Sequence, residues 1–278
     1  MKRTLPRLLA LLLLGYAGLC GWLYAAQDTM LYFPTAPAEA RDADALLFEH
    51  DGESLRVWQV GAGSRALLYF GGNAENVAWT ASEFSGLLAD TAVYLPEYRG
   101  YGASSGEPGE AAFYRDAAFL YDRVAGQHAD IALVGRSLGS GVAAWLAAER
   151  PVTRLVLVTP FDSLEAVAQG AYPFVPVSML LRDKYPSIER VPDIAARTLV
   201  LVADEDRVID YGRTMALVSR FPPDQVRVMT VAHTNHNTIS RSPAYREALR
   251  DFLAGAPADT VVTRSGSRTS AVPPLPRR

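Results

Sequence analysis

Ser137 is the first residue of this chain whose surroundings point to chemistry. Residues 133–147 read LVGRSLGSGVAAWLA: an apolar run ends at Gly135, the serine stands between glycines, and an alanine-rich helical run follows. The pattern G-x-S-x-G at a strand-to-helix turn is typical of a nucleophile elbow. The motif also arises by chance, because glycine is common, so a serine that merely fills a tight turn is the alternative.

Two later segments carry the acid and the base that a serine nucleophile needs. Asp204 and Asp206 follow one apolar run, and His233 and His236 follow the next. Each segment alone is also typical of a solvated turn or a helix cap. Together they give the order serine, acid, histidine, in which catalytic triads are known to occur. The residues themselves leave open which aspartate and which histidine would act.

An oxyanion hole requires two backbone N–H groups near the serine. The N–H of Leu138, directly after Ser137, is one candidate. The other is the N–H of Asn73, in the segment Gly71-Gly72-Asn73-Ala74 that follows an apolar run. The segment lacks both a Walker lysine and the G-x-G-x-x-G pattern, which disfavours a phosphate-binding loop.

Alternating strands and helices are predicted to position these segments. Continuous apolar, β-branched runs predict buried strands, and one further run predicts an antiparallel edge strand at 55–60. The strands are predicted at 66–70, 91–95, 131–134, 155–158, 198–202 and 226–231, and helices at 76–88, 111–125, 138–148, 211–220 and 243–253. This alternation predicts an α/β fold with a mostly parallel sheet and helices on both faces. Ligands of such sheets bind where the strands end, which is where the candidate residues lie.

Composition narrows the class of protein. The 278 residues carry a formal net charge of −3, which gives no reason to expect a nucleic-acid partner. The chain has four histidines and one cysteine, without CxxC or HExxH, so we expect neither a zinc site nor a disulfide within the chain.

The N-terminal segment predicts a membrane anchor. Residues 8–26 are apolar and uncharged, after a stub that carries Lys2, Arg3 and Arg7. About twenty such residues span a hydrocarbon core of about 30 Å. The basic stub predicts a cytoplasmic N-terminus, which in a Gram-negative bacterium places the rest of the chain in the periplasm. A cleaved signal peptide, and lipidation at Cys20, are the alternatives.

Three parts of the chain are therefore expected. Residues 1–27 form the stub and the anchor, and residues 28–256 form the catalytic domain. Residues 257–278 are rich in Ser, Thr, Pro and Arg, which predicts a disordered tail.

Several separated blocks resemble one known family when taken in order. Residues 30–253 are similar to the Bem46-like α/β-hydrolases, which include the ABHD13 and ABHD17 types and overlap with the serine aminopeptidase domain. The blocks are GGNAENV (71–77), YRGYGASSGEP (98–108), GRSLGSG (135–141), YPFVPVSMLLRDKYPSIERV (172–191), DEDRVI (204–209) and HNT (236–238).

The resemblance assigns a role to each position of the candidate triad. It implies that Ser137 is the nucleophile, Asp206 the acid and His236 the base, and it implies no cofactor. The chain departs from the family in the glycine-rich loop, where Gly71 replaces a histidine and Glu75 a glycine. Glu97 stands where the family has an aspartate, and we expect it to keep a structural role.

The expected activity is hydrolysis of a carboxylic ester or thioester by a membrane-anchored serine hydrolase. The segment 172–181 lies where this fold places a cap, and its apolar surface would receive a small acyl-ester or lipid-like substrate. Core packing of a short lid, or contact with the nearby membrane, is the alternative use of that surface. A peptidase or amidase, suggested by the aminopeptidase label, is the first alternative. A catalytically silent, membrane-tethered scaffold on a hydrolase fold is the second.

Overall fold

The apolar N-terminal segment forms one long helix in the computed structural model, which describes residues 4–255. Helix α1 (Thr4–Leu31) contains a stretch, Leu5–Leu31, that is long and apolar enough to be a candidate transmembrane span. The helix continues past the boundary expected at residue 27, because no Gly or Pro lies between that residue and Pro34. The tail expected at 257–278 lies outside the described residues.

The predicted apolar runs all form strands, and within residues 4–255 they belong to one sheet of eight strands. The strands are β1 (Asp44–His50), β2 (Glu53–Val60), β3 (Arg65–Phe70), β4 (Thr91–Pro96), β5 (Asp130–Arg136), β6 (Arg154–Val158), β7 (Arg197–Ala203) and β8 (Val226–Val231). Their order across the sheet is β1-β2-β4-β3-β5-β6-β7-β8. Strand β2 is antiparallel to β1 and to β4, and the other neighbours are parallel, as expected for the α/β class.

Strand β1 is not predicted by the sequence, and it takes the edge position expected for 55–60. Leu46 and Phe48 are partly buried, whereas Leu47 between them is 66% exposed. An apolar residue on the solvent side hides the alternation by which an antiparallel strand is recognised.

Helices cover both faces of the sheet. They are α2 (Val77–Phe84), α3 (Glu110–Ala125), α4 (Leu138–Glu149), α5 (Leu164–Ala171), α6 (Val177–Leu180), α7 (Ser187–Arg190), α8 (Tyr211–Val218) and α9 (Pro243–Ala254). Leu68 and Phe70 pack into the layer that contains α3, α4 and α8. Leu67 and Tyr69 pack into the opposite layer with α2 and α9. Burial on both faces explains why β3 is continuously apolar.

Strand register brings the candidate loops together. Phe70 of β3 lies opposite Gly135 of β5, so the glycine-rich loop and the Ser137 turn leave the sheet side by side. Ala203 of β7 lies opposite Val231 of β8, which aligns the aspartate loop with the histidine loop. Helices α5 and α6 form a short cap between β6 and β7.

Candidate active site

Ser137 occupies a sharp turn between β5 and α4. Its backbone has φ 50° and ψ −116°, a conformation that costs a residue other than glycine about 1–3 kcal/mol. Hydrogen bonds fix the turn: the Ser137 N–H donates to the Val158 carbonyl at 2.9 Å, and the Ser140 hydroxyl donates to the Ser137 carbonyl at 2.6 Å. The serine hydroxyl is thus held at the ends of the strands.

The glycines around Ser137 are required by close backbone approach. A Cβ atom at Gly139 would lie 2.1 Å from the Phe70 carbonyl oxygen. A Cβ atom at Gly135 would lie 2.3 Å from the Gly139 carbonyl oxygen. Real Cβ contacts are not this short, so a larger residue at either position would displace the elbow from the sheet.

The structure joins Ser137, His236 and Asp206 by hydrogen bonds. The His236 Nε2 atom lies 2.9 Å from the Ser137 hydroxyl oxygen, and its Nδ1 atom lies 2.8 Å from Asp206 Oδ2. The side chains of His236 and Asp206 are only 10% and 7% exposed. A buried Asp–His–Ser arrangement of this kind allows an imidazole to take the serine proton while the carboxylate orients the ring.

Asp206 is held as a carboxylate by its own loop. Its second oxygen, Oδ1, accepts hydrogen bonds from the N–H groups of Val208 and Ile209 at 2.8 and 2.9 Å. Burial opposes ionisation, but the hydrogen bonds from His236 and from these amides outweigh it and lower the pKa of Asp206.

The other aspartate and the other histidine take no part in this arrangement. Asp204 accepts hydrogen bonds from the N–H groups of His233 and Thr234 at 2.8 and 2.9 Å, so its carboxylate ties the two loops together. The hydrogen bonds of Thr234 and His233 lower the pKa of Asp204. His233 is exposed and has φ 58°.

The candidate oxyanion residues lie on either side of the serine. Gly72 passes so near that a Cβ atom there would lie 3.5 Å from the Ser137 Cβ atom. Within residues 4–255, the N–H groups of Asn73 and Leu138 have no hydrogen-bond acceptor. Two free donors on adjoining loops are what a developing oxyanion needs.

Comparison with known proteins identifies the family of this chain. Residues 61–274, most of the chain, match the α/β-hydrolase family. The chain belongs to the α/β-hydrolase family. An uncharacterized protein of Mycobacterium tuberculosis, Rv2307c, is 33% identical over 269 residues, covering 90% of this α/β-hydrolase and 95% of the relative. The α/β-hydrolase domain-containing protein aho-3 of Caenorhabditis elegans is 31% identical over 193 residues, covering 67% and 57%.

Solved structures share the fold of this α/β-hydrolase at low sequence identity. The Pyrococcus furiosus esterase Pf2001 matches with a TM-score of 0.61 and 14% identity, covering 80% of this chain and 98% of the esterase. Mouse α/β-hydrolase domain-containing protein 10 matches with a TM-score of 0.61 and 17% identity, covering 76% and 97%.

Glu75 gives this α/β-hydrolase a support for its glycine-rich loop that the sequence reasoning did not find. The Glu75 carboxylate accepts a hydrogen bond from the Gly72 N–H at 2.7 Å and from Arg136 at 3.1 Å. Arg136 also donates to the His236 carbonyl at 3.3 Å. The pair Glu75–Arg136 therefore connects three loops of the site. Its signal in the sequence is a pair of opposite charges, one in the glycine-rich loop and one beside the candidate serine.

Glu97 has the structural role expected of it. Its buried carboxylate accepts hydrogen bonds from Arg56 at 2.9 and 3.0 Å, from the Trp58 indole at 2.9 Å and from the Ala103 N–H at 2.6 Å. These bonds tie the loop after β4 to β2, and they form away from the Ser137 hydroxyl.

Proposed function

We propose that this α/β-hydrolase is a membrane-anchored serine hydrolase that cleaves a carboxylic ester or thioester. The observation that carries the proposal is the continuous hydrogen-bonded chain from Asp206 through His236 to the Ser137 hydroxyl. The strained elbow at Ser137 supports it, because strain of this kind is retained at functional sites.

The proposed reaction has two steps. His236 takes the Ser137 proton as the serine oxygen bonds to the acyl carbon, and the protonated imidazole then gives that proton to the departing alcohol or thiol as its bond to carbon breaks. In the second step His236 deprotonates a water molecule, which attacks the acyl-serine. The acyl–serine bond breaks, the serine regains its proton, and a carboxylic acid leaves.

Backbone donors would stabilise the charge that develops in both steps. We assign the N–H groups of Asn73 and Leu138 to the carbonyl oxygen as it becomes an oxyanion. One donor of this kind is worth about 10²–10³ in kcat. The reaction so written uses only groups of the chain and water, and it calls for no metal or cofactor.

The proposed anchor is helix α1, which would remain in a bacterial inner membrane. Lys2, Arg3 and Arg7 precede its apolar residues, which favours a cytoplasmic N-terminus and a periplasmic catalytic domain over 28–256. Fractionation checks this: the full-length chain is expected in the membrane pellet after a carbonate wash. A soluble mature protein that lacks the first residues would show that a signal peptide is cleaved instead.

Labelling with a fluorophosphonate probe tests the nucleophile. We expect the wild type to label, Ser137→Ala not to label, and the control Ser82→Ala, at an exposed position of α2, to label as the wild type does. Equal labelling of Ser137→Ala would overturn the mechanism, and no labelling of the folded wild type would favour a silent scaffold.

A substrate pair tests the reaction class. We expect p-nitrophenyl acyl esters to be turned over faster than aminoacyl-p-nitroanilides. Faster turnover of the anilides would favour a peptidase over an esterase.

A further inference from the structure

The cap carries an apolar surface that the fold does not bury. Residues 166–181 include no charged side chain. At its tip, which we define as residues 172–181, Phe174 is 88% exposed and Met179 is 82% exposed. Large apolar side chains exposed to this degree within one short segment mark an interaction surface.

Helix α1 lies along this tip. The Tyr16 hydroxyl donates a hydrogen bond to the Phe174 carbonyl at 2.8 Å. At the other end of the tip, Gln27 donates to the Leu180 carbonyl at 3.2 Å and accepts from the Arg182 N–H at 2.8 Å. Tyr16 and Gln27 are eleven positions apart, about three helical turns, so they lie on the same face of α1. The tip therefore runs beside the apolar helix rather than away from it.

The contact with Tyr16 gives the depth of the tip. Trp22 and Tyr24 are exposed aromatic residues of the kind that lie at membrane interfaces, and the ion pair between Asp28 and Arg182 follows them, with a separation of 2.6 Å. Tyr16 precedes the end of the apolar segment by ten residues, which is about 15 Å along a helix axis. The hydrocarbon core is about 30 Å thick. When α1 spans the membrane, Phe174 therefore lies within the hydrocarbon core rather than at the membrane–water interface.

The backbone of the tip is suited to that depth. Carbonyl groups in hydrocarbon must find donors within the protein. Besides the bond to Phe174, the Gln169 side chain donates to the carbonyls of Tyr172 and Val175 at 3.2 and 3.1 Å. Pro173 and Pro176 have no N–H group that needs an acceptor.

The end of α1 also contacts the proposed active site. The Asn73 side chain donates to the Leu31 carbonyl at 2.6 Å and accepts from the Phe33 N–H at 3.0 Å. Asn73 belongs to the loop beside Ser137. The residues that leave the membrane therefore touch the proposed oxyanion loop directly.

From these contacts we infer that the cap tip is inserted into the bilayer beside α1, and that Ser137 receives its acyl substrate laterally from the membrane. The substrate class is then an amphiphilic ester or thioester whose acyl chain resides in the bilayer. The insertion concerns the cap alone, whereas the choice of substrate rests on the proposed function.

Depth-dependent quenching tests the insertion without requiring activity. Cys20→Ala removes the chain's one cysteine, and Phe174→Cys, Met179→Cys or Leu47→Cys is then labelled with the fluorophore NBD. Leu47 is the matched control, since it is 66% exposed on the edge strand β1. The full chain is reconstituted in phosphatidylethanolamine–phosphatidylglycerol vesicles with nitroxide groups on the acyl chains. We expect quenching at 174 and 179 to exceed quenching at 47 by at least three-fold. Equal quenching at positions 174, 179 and 47 would overturn the inference. Blue-shifted but unquenched emission at 174 and 179 would also overturn it, because it would show that a protein rather than lipid covers the tip.

Kinetics test the route of the substrate. The double variant Phe174→Ser, Met179→Ser is expected to lose at least ten-fold in kcat/KM on p-nitrophenyl palmitate held in vesicles, and to stay within two-fold on soluble p-nitrophenyl acetate. Leu47→Ser should change neither value. Equal losses on both esters would overturn lateral uptake and give the tip a structural role. If the wild type cleaves neither ester, the proposed function fails and the substrate choice with it, while the quenching result still decides the insertion.

Discussion

Two aspartate–histidine pairs lie in the same two loops, but only one of them forms a side-chain hydrogen bond between its two members. Asp206 and His236 bond through their side chains, and both side chains are almost fully buried. Asp204 bonds instead to the backbone N–H of His233, and both of these residues are exposed. The aspartates are two positions apart and the histidines three, yet only Asp206 and His236 connect to the serine.

Burial accounts for the difference. In a solvent-shielded site, a carboxylate–imidazole hydrogen bond is stronger and better fixed than it is in water. The exposed pair is in contact with water, which weakens a bond between the two side chains. The Asp204 carboxylate instead accepts backbone N–H groups of the histidine loop, and these bonds hold the two loops together. The comparison thus distinguishes an acid that orients the base from an acid that only holds the loops, and substitutions at all four residues test this distinction.

His236→Ala should have the largest effect. Without the imidazole, no other side chain among residues 4–255 is hydrogen-bonded to the Ser137 hydroxyl to take its proton, so we expect kcat on p-nitrophenyl butyrate to fall by about 10⁶-fold. Circular dichroism should be unchanged. A variant that kept a tenth of the activity would transfer the role of base to another residue.

Asp206→Asn is the second test. An amide cannot favour the same tautomer and ring orientation, so we expect kcat to fall by about 10⁴-fold. KM should change little, because Asp206 lies behind the histidine. Full activity would mean that Asp204 or another acid orients the base, and the double variant with Asp204→Asn would show which.

Glu75→Gln probes a buried acid that is outside both pairs. It leaves the Arg136 cation without its partner, which costs about 3–5 kcal/mol when such a pair is buried. Urea unfolding should show this loss, and kcat should fall about ten-fold as the Gly72 loop loosens. Glu75→Gln combined with Arg136→Met should regain stability but not kcat. A double variant as unstable as the single one would contradict this account.

The sequence predicts most of the fold because its strands are buried on both faces. Continuous apolar runs such as the one in β3 need no neighbour to be recognised. Strand β1 is missed because its burial comes from tertiary packing on one side only. Helix α1 runs on to Leu31, four residues past the expected anchor, because backbone continuity rather than polarity determines where a helix ends.

The sequence predicts some residues of the candidate site and leaves others undecided. Glycine spacing identifies Ser137, because the elbow imposes a local steric demand. The choice between aspartates depends on side-chain burial, a property of the assembled loops, and so the residues alone leave it open. The link between Glu75 and Arg136 spans 61 positions, and no local pattern encodes such a contact.

Asp204→Asn should lower the stability of the fold and leave kcat above about half of the wild-type value. Hydrogen bonds to Thr234 and His233 lower the pKa of Asp204 in the folded chain relative to the unfolded one. The resulting stabilisation is present at neutral pH and is lost as pH falls below about 4, through the depressed pKa. Melting temperatures from pH 7 to pH 3 should therefore differ most between wild type and variant at pH 7. A difference that stayed constant with pH would contradict a charge-dependent role.

His233→Asn should have the smallest effect. Asparagine tolerates the left-handed backbone that this position adopts, with φ 58°, so the variant removes the imidazole and keeps the loop. We expect kcat within about two-fold of wild type. His233→Ala should be somewhat less stable, since alanine lacks that tolerance, with kcat retained. If His233→Asn lost kcat as severely as His236→Ala, exposure would have failed to separate the two pairs, and His233 would also be needed for the reaction.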